Sequence, residues 1–306
     1  MPQWTVNGPE RITFDEPVDV LRVRTVSGAV HVVAGDGPAR LEVSELDGPP
    51  LVVTHEGGTL TVAYEELTRW EFSSQHFSLK GIASLVDSWR RRRHAVVSLA
   101  VPAAARVELV SVGADVVVSG IAGPVAVRGA GGDTTLVRVS GPVEAQSVSG
   151  SVEAQAVSGD LKVQTVSGEL TVVEASGPRL HAHSVSGSMT VDLDGRGPAD
   201  VRLNTVSGEV AVRMPHPADT RVDAGSTSGE MSSAFDELRM GGTWGARRLS
   251  GRLGAGTGRL QVTTVSGSVA LLRRPPAPGP GEDGAPGPAG RPDLSKRLSD
   301  RDGGAA

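Results

Sequence analysis

Residues Val148–Ser176 read VSGSVEAQAVSGDLKVQTVSGELTVVEAS, and a nine-residue unit repeats through this stretch. The unit is close to V-S-G-x-[VL]-x-[AV]-x-[AT], and its copies begin at Val148, Val157 and Val166. A fourth, imperfect copy begins at Ala175. A short fixed period is typical of a solenoid, because each repeat must stack on its neighbours to bury its apolar face.

One copy of the unit, from Val157 to Thr165, has the alternation of a β-strand. Val157, Leu161 and Val163 would share one face, with polar residues between them on the other face. This pattern is typical of a sheet with one buried face and one face in water. The unit has an odd number of residues, so strict alternation would put the next valine on the wrong face. The sequence therefore predicts a bend near Gln164-Thr165 that resets the phase.

Related tripeptides extend the repeat over most of the chain. They begin at Val26, Val118, Val139, Val185, Val206, Thr227, Leu249 and Val265. The later spacing is near 21 residues, as between Gly187 and Gly208, which resembles a coil of two strands with one degenerate unit. Aromatic residues are only 3% of the chain, which suits a thin core of small aliphatic side chains. We predict an all-β fold, a β-solenoid built as a single stack of VSG repeats.

The repeats predict one domain over residues 1–272, with an insertion at 65–94 and a tail at 273–306. Within the insertion, apolar residues recur at helical spacing and lead into four arginines and His94. This pattern predicts a short amphipathic basic helix over Leu79–His94. In the tail, 12 of the 18 residues from 275 to 292 are Pro or Gly. Such a segment cannot bury a core, so we predict that the tail is disordered.

Composition excludes several classes of protein and site. The chain has no cysteine, which excludes disulfides, thiolate metal sites and cysteine nucleophiles. Its net charge of −5 is modest and mixed in sign, so we expect no specific nucleic-acid partner. The N-terminal residues MPQWTVNGPERITF lack the pattern of a signal peptide, and no run of about 18 apolar residues exists. These features predict a cytoplasmic protein without a transmembrane segment.

Two pairs of residues are candidate metal ligands. His181 and His183 would share one face of a strand, and Asp192 and Asp194 form a similar pair about one strand later. Two imidazoles and a carboxylate could bind zinc. The favoured interpretation is that all four are outward positions of ordinary repeats. A calcium β-roll is rejected because it needs an aspartate in every repeat, whereas Asp160 is isolated. We therefore predict no metal and no cofactor.

Enzyme chemistry finds little support in the sequence. Parallel β-helices also host polysaccharide lyases and hydrolases, but here Glu144, Glu153 and Glu169 alternate with Ser and Gln as on a solvated strand face. The repeats from Arg106 to Ala234 contain no Trp or Tyr on which a sugar could stack. No nucleophile-elbow or phosphate-loop motif is present. We predict no catalytic residues and no enzyme activity.

The predicted basic helix has two interpretations, which can hold together. Its apolar face could cap an open end of the solenoid. Alternatively, a helix with a tryptophan at its edge and four consecutive arginines could dock on an anionic membrane or an acidic partner. The residues that we assign to docking are Leu79, Ile82, Val86, Trp89, Arg90, Arg91, Arg92 and Arg93.

Three features together resemble a known bacterial family. They are the VSG-x-V-x-V repeats, the opening FDEPVDVLRVRTVSGAVHVVAGD, and RRRRHAVVSLAVP after the insertion. Over about residues 10–272 the chain resembles the β-strand-repeat family of unknown function labelled "putative adhesin", with toast-rack or head-GIN-like β-solenoids. The resemblance implies a β-solenoid or toast-rack-like fold, no enzyme chemistry, and a link to the cell envelope or its stress response. The family carries no catalytic residues that could be transferred.

We therefore expect a non-enzymatic β-repeat scaffold that binds a protein partner or associates with itself. The basic helix would add a peripheral contact with an anionic inner-membrane surface. Two alternatives remain open at this point. One is a polymer that assembles end to end, and the other is a carbohydrate-active or metal-dependent enzyme on the outer face of a β-helix.

Overall fold

The structure, a computed structural model, describes residues 2–68, 93–194, 200–215, 217–243 and 245–274. Within these ranges the chain forms 24 β-strands and one short helix, α1 (Glu65–Thr68). Contacts between residues group the chain up to Arg274 into one compact unit. The predicted all-β class is confirmed. The predicted disordered tail lies outside the described residues from Pro275 onward, and its predicted start is corrected, because Arg273 is the last residue of a strand. Most of the predicted basic helix also lies outside the described residues.

The strands fall into three groups along the chain. The N-terminal group is β1 (Gln3–Val6), β2 (Glu10–Phe14), β3 (Val20–Ala34), β4 (Ala39–Asp47), β5 (Leu51–Glu56), β6 (Thr59–Tyr64) and β7 (His94–Val101). The middle group is β8 (Arg106–Ser119), β9 (Val125–Gly129), β10 (Thr134–Val137), β11 (Val143–Ser147), β12 (Val152–Gln155), β13 (Leu161–Thr165), β14 (Leu170–Ala175), β15 (Arg179–Ser184), β16 (Met189–Leu193), β17 (Asp200–Thr205) and β18 (Val210–Met214). The C-terminal group is β19 (Thr220–Ser226), β20 (Met231–Ser233), β21 (Arg239–Thr243), β22 (Ala246–Leu253), β23 (Gly258–Thr264) and β24 (Val269–Arg273).

The middle strands form two parallel ladders. Each strand pairs with the strand two places further along the chain, so that β11 pairs with β13 and β12 pairs with β14. We name the ladder of β9, β11, β13, β15 and β17 sheet 1, and the ladder of β10, β12, β14, β16 and β18 sheet 2. The long strand β8 belongs to both, because its first half pairs with β9 and its second half with β10. Strand β3 pairs with β8 along both halves.

One coil of this solenoid contains two of the nine-residue units. Val143 in β11 lies opposite Leu161 in β13, 18 positions later. Each unit therefore supplies one strand and the turn that leads to the next strand, which we call an arc. Along β13, buried and exposed side chains alternate, as the sequence predicts. The buried faces of the two sheets contribute to one continuous apolar cluster. The predicted β-solenoid is confirmed.

The phase of the alternation resets two residues later than the sequence suggests. Thr165, the last residue of β13, still faces the interior, and the next buried residue is Gly168. The reset therefore lies at Val166-Ser167, and the bend predicted at Gln164-Thr165 is wrong by about two residues. We name the arcs that lead from sheet 1 to sheet 2 edge A, and those that lead back edge B.

The arcs of edge A, apart from the one that begins at Gly129, share a buried hydroxyl. Thr165 Oγ1 accepts a hydrogen bond from the backbone N–H of Gly168 at 3.1 Å, and Ser184 Oγ accepts one from Gly187 at 2.9 Å. Both hydroxyl residues are at most 4% exposed. Each hydroxyl satisfies a backbone donor that the turn removes from the ladder. The motif of edge A is therefore [ST]-V-S-G, in which the valine points outward.

The same tripeptide has the opposite orientation on edge B. Val157 is only 1% exposed there, and the residue before it, Ala156, has a φ of 53°. Arg138 and Glu174 occupy the equivalent places in the neighbouring coils and also have positive φ. This left-handed residue turns the valine inward. Identical VSG tripeptides thus adopt two conformations, and the residue that precedes the tripeptide differs between the two edges.

The left-handed conformation of Ala156 gives a first prediction. An L-residue in this region is strained by about 1 kcal/mol, whereas glycine adopts it freely. We expect Ala156→Gly to stabilise the protein by up to about 1 kcal/mol, measured by urea unfolding. The control is Ala126→Gly, in strand β9, which should destabilise by about 0.5–1 kcal/mol. Equal destabilisation by both changes would contradict the prediction.

The two ends of the stack depart from the simple coil. At the N-terminal end, antiparallel strands β5 and β1 continue sheet 1 beyond β6, and β4 and β2 continue sheet 2 beyond β7. At the C-terminal end, the chain does not stack in sequence order. Strand β23 lies between β17 and β19, and β24 lies between β18 and β20. The last coil is therefore inserted between two earlier ones, and antiparallel β22 and β21 close sheet 1.

Candidate interaction surface

The outer face of sheet 1 carries rows of side chains in register. One row runs across consecutive strands through Glu108, Ala126, Glu144, Lys162, His181 and Arg202. Strand spacing in a ladder is about 4.8 Å, so neighbours in the row lie within reach of one another. Opposite charges in successive coils therefore meet across the strands.

Ion pairs connect this row to its neighbours. Arg22 Nε lies 3.0 Å from Glu108 Oε2, and Lys162 Nζ lies 2.9 Å from Glu144 Oε1. Arg179 hydrogen-bonds Asp160. Closer to the C-terminal end, Asp200 contacts His181 and Arg202, and Arg248 pairs with Asp223. The outer face of sheet 1 thus carries side chains of alternating charge, and ion pairs between them hold these side chains in place.

A groove lies where one member of the row is small. Ala126 stands between Glu108 and Glu144, and its short side chain leaves a depression of about 390 Å³. Three acidic and three basic residues line the groove. They are Glu108, Glu144, Asp160, Arg106, Lys162 and Arg179.

Two carboxylates of the groove, Glu144 and Asp160, have lowered pKa values. The hydrogen bond from Lys162 lowers the pKa of Glu144, and the hydrogen bond from Arg179 lowers the pKa of Asp160. A general acid needs a carboxyl whose pKa is raised towards neutrality. These two groups have the opposite shift, and they are suited to electrostatic recognition.

The lowered pKa of Glu144 predicts a pH-dependent stability. A depressed folded-state pKa stabilises the protein above the ordinary pKa of about 4.3 and loses that effect as the pH falls through the folded value. The pair is half exposed, so its effect is at most about 1 kcal/mol. We expect Lys162→Met to lower the urea midpoint at pH 7 and to have little effect near pH 3. The control is Gln164→Met on the same strand, which should show no such pH dependence; an equal pH profile would contradict the prediction.

The four candidate metal ligands lie on two different sheets. His181 and His183 are in β15 of sheet 1, whereas Asp192 is in β16 of sheet 2 and Asp194 follows that strand. His181 Nε2 is 3.4 Å from Asp200 Oδ2. In the part of the chain that the structure describes, no group of three or more His, Cys, Asp or Glu side chains could hold a metal ion. The structure does not bring the two pairs together.

Basic residues surround the two aspartates instead. Asp192 is 4% exposed and hydrogen-bonds Arg213, which occupies the same position in the next coil. Arg274 Nη1 lies 3.8 Å from Asp192 and 3.9 Å from Asp194. Sequence reasoning missed these cross-coil pairs, but their spacing is a usable signal. Lys162 follows Glu144 by 18 positions and Arg213 follows Asp192 by 21, the lengths of one regular and one longer coil.

The proposed docking helix lies mostly outside the described residues, from Leu79 to Arg92. Its last two positions are described, and they correct the predicted end of the helix. His94 is the first residue of strand β7, and the carbonyl of Arg93 accepts a hydrogen bond from Ser27 Oγ at 2.6 Å. The ladder partner Ser27 holds this segment in extended pairing. Among the described residues, no helix has the length and apolar character needed to cross a membrane.

Two parallel ladders joined by arcs into coils define a β-solenoid protein. The sequence model of the Toastrack DUF4097 family matches residues 18–272, which is most of the chain. This protein belongs to the Toastrack DUF4097 family, and the resemblance noted from its repeats is confirmed.

Solved structures with similarity to the chain share little sequence with it. One is a crystal structure of "a putative cell adhesion protein" from Clostridium sporogenes ATCC 15579, which is 9% identical in sequence and has a TM-score of 0.26. The match covers 87% of this chain and 100% of that chain. Another is a "putative lipid binding protein" from Parabacteroides distasonis ATCC 8503, which is 13% identical in sequence and has a TM-score of 0.37. That match covers 88% of this chain and 97% of the other chain. None of the curated proteins matches the chain. At these scores the two structures carry no argument about function.

Proposed function

We propose that the protein is a non-enzymatic scaffold that binds a protein partner through the outer face of sheet 1. The observation that carries this proposal is the plane of paired charges that extends from Arg22 in β3 to Arg248 in β22. Such a face offers a fixed pattern of charge on a rigid ladder. Complementary charge patterns select partners and speed their encounter.

The chemistry of the groove supports binding over turnover. Glycoside hydrolysis uses two carboxyl groups, one of them protonated so that it can act as an acid. Here Glu108 is paired with Arg22 and Glu144 with Lys162, and the pKa of Glu144 is lowered. Within the described ranges, the two candidate metal-binding pairs also lie on different sheets. These features favour a scaffold over a carbohydrate-active or metal-dependent enzyme.

The proposal is tested by reversing charges on the face. Tagged full-length protein would be cross-linked in its native cells as wild type, as Lys162→Glu with Arg179→Glu, and as Arg11→Glu with Arg40→Glu. The last variant is the matched control, since it makes the same charge change in the N-terminal strands and also breaks one ion pair, Arg11–Glu42. We expect a protein that binds wild type and control, is lost with the sheet 1 variant, and binds again when both components are purified. If no partner depends on sheet 1, the proposal is wrong.

End-to-end assembly is the alternative that the ends of the stack make less favourable. Among the described strands, sheet 1 ends at β1 and β21, which have four and five residues and are antiparallel to their neighbours. Sheet 2 ends at β2 and at β20, which has three residues. Short edge strands are poor templates for adding another chain. We expect a monomer in sedimentation velocity at about 0.1 mM; fibres or concentration-dependent growth would contradict this expectation.

For cellular location we propose a cytoplasmic protein with peripheral contact at the inner face of the membrane. The proposal rests on the sequence of the docking segment, above all Arg90–Arg93, which suits an anionic lipid surface. Fractionation of native cells should place the wild type with membranes and an Arg90–Arg93→Ser variant in the supernatant. If both remain in the supernatant, the segment does not bind membranes.

A further inference from the structure

Edge A of the solenoid exposes a ladder of valines. Val185, Val206 and Val265 lie in successive coils and are 41%, 45% and 49% exposed. Backbone hydrogen bonds of 2.9 Å stack these arcs, from Ser207 to the carbonyl of Val185 and from Ser266 to that of Val206. Val148 and Val166 continue the ladder and are partly exposed. The result is an apolar strip across five coils, about 19 Å long at the spacing of a ladder.

A row of carboxylates runs beside the valine ladder. From the coil of Glu169 to that of Glu230, one coil beyond Val265, the residue after the glycine of each arc alternates between glutamate, at Glu169, Glu209 and Glu230, and serine. All three glutamates are exposed. In the portion of the chain that is described, none of the three forms an ion pair. Successive carboxylates are two coils apart, which corresponds to a distance of about 9.6 Å.

The arcs of edge A contain no basic residue to balance these charges. The arcs that build it occupy residues 111–115, 129–133, 147–151, 165–169, 184–188, 205–209, 226–230 and 264–268, and none of these segments contains Lys or Arg. A groove of about 270 Å³ lies beside Val148, Val166 and Val185, on the side of sheet 1. Gln146, Gln164 and His183 form its polar wall, and Arg128 lines its N-terminal end. Edge A therefore carries an apolar strip with a row of carboxylates on its sheet 2 side and a groove on its sheet 1 side, and its arcs differ from the charge-balanced face of sheet 1.

The spacings of edge A match those of an α-helix laid along the solenoid. Successive turns of a helix are about 5.4 Å apart, close to the 4.8 Å between valines. Residues seven apart on a helix are about 10.5 Å apart, close to the spacing of the carboxylates. An apolar stripe on such a helix would contact the valines, and a basic residue every second turn would meet a glutamate. A helix of about 13 residues would cover the ladder.

We propose that edge A is the docking site for an amphipathic cationic helix of a polypeptide partner. The occupant presents aliphatic side chains to the valine ladder and arginine or lysine side chains to Glu169, Glu209 and Glu230. This inference concerns a surface other than the outer face of sheet 1. It rests on the proposed scaffold role only in the general sense that the protein binds polypeptides.

The test uses a peptide of known sequence as the probe. A fluorescein-labelled peptide of about 15 residues, with three lysines spaced seven residues apart and leucines on the adjacent helical face, has the required chemistry. It would be titrated by fluorescence anisotropy against the full-length chain carrying Arg90–Arg93→Ser, so that the chain's own arginines do not compete. We expect a dissociation constant below about 0.1 mM. The helix content of the peptide should rise on binding, as measured by circular dichroism.

Two triple variants locate the site. Replacing Glu169, Glu209 and Glu230 by lysine should weaken binding by about 30-fold or more, because three attractions become repulsions. Replacing Glu10, Asp36 and Glu56 by lysine is the control, since these exposed acids lie in the N-terminal strands and turns and give the same change in net charge. The control should alter affinity by less than about threefold.

A third variant tests the apolar part of the site without changing charge. In this variant threonine replaces Val185, Val206 and Val265, and it keeps a β-branched side chain on the exposed arcs, so folding should be unaffected. We expect peptide binding to weaken by about fivefold or more. Equal weakening by the edge and control charge variants would mean nonspecific attraction, and it would overturn the proposal. Absence of binding, or binding without a gain of helix, would also overturn it. The sheet 1 variant Lys162→Glu with Arg179→Glu should leave peptide affinity unchanged, which keeps the two proposals separable.

Discussion

Gly168→Ala is expected to destabilise the solenoid by about 3 kcal/mol or more, one of the largest effects of any single substitution. A Cβ atom at this position would lie 2.0 Å from the carbonyl oxygen of Gly150 in the coil before. That atom belongs to the backbone of a stacked arc and cannot move aside without opening the ladder. Gly187 meets the carbonyl of Gly168 in the same way, at 1.8 Å. The same close approach between the backbones of stacked arcs therefore recurs in successive coils along edge A.

The measurement is urea unfolding followed by circular dichroism, with Gly8→Ala as the control. Nothing lies within 4 Å of a Cβ atom built on Gly8, so that substitution should change stability by less than about 0.5 kcal/mol. Because solenoids can unfold in parts, hydrogen exchange should be measured as well. We expect protection to fall first in the coils on either side of Gly168. A Gly168→Ala protein as stable as Gly8→Ala would show that the arcs are not packed as described.

Removal of the last coil is expected to have the second large effect. A chain that ends at Gly256 lacks β23 and β24, which lie between the coil of β17 and β18 and the coil of β19 and β20. Leu260, Val262 and Leu271 are each at most 1% exposed and would be lost from the core. Burial of each such side chain stabilises by about 1.5–3 kcal/mol. The remaining strands on both sides would lose their ladder partner.

A chain that ends at Arg274 is the control for this truncation, because the compact unit ends at that residue. We expect the shorter chain to lose protection against hydrogen exchange throughout β19–β22, and the control to keep it. The competing outcome is physically possible, since β19 pairs with β23 in the same parallel register as β17 does. If β19 retains full protection after truncation, it has moved onto β17, and the inserted coil is dispensable.

Much of the fold could be predicted from local sequence. The alternation in Val157–Thr165 gave the strand and its buried face, and the nine-residue period indicated stacked coils. The cross-coil ion pairs were also accessible in principle, because Glu144 and Lys162 are one coil apart. They were missed because the length of a coil follows from strand pairing, which a single unit of sequence does not specify. For the same reason the sequence could suggest that His181 and Asp192 lie near each other, although they belong to opposite ladders.

The candidate surfaces were harder to predict than the fold. Every VSG tripeptide looks alike in sequence, yet Val157 is buried and Val206 is 45% exposed. In the regular coils the difference depends on whether the preceding residue is a buried hydroxyl or a left-handed residue, whereas Val26 is buried after Thr25 because both lie within the continuous strand β3. Only when the arcs are stacked do the outward valines and the glutamates that follow them form a continuous strip. The basic segment Leu79–Arg92 stays a prediction, since it lies outside the described residues.

The sequence by itself determined the class of this protein, because alternation and a fixed period are local properties that dictate strands with one apolar face. Only the tertiary structure decided the order of the coils at the C-terminal end. Each VSG coil presents similar backbone groups, so several stacking orders satisfy the same local pattern, and the chain places β23 and β24 ahead of β19 and β20. The tertiary structure also decided which surfaces are continuous, since a surface in a solenoid is assembled from residues about 18 positions apart that no local signal connects.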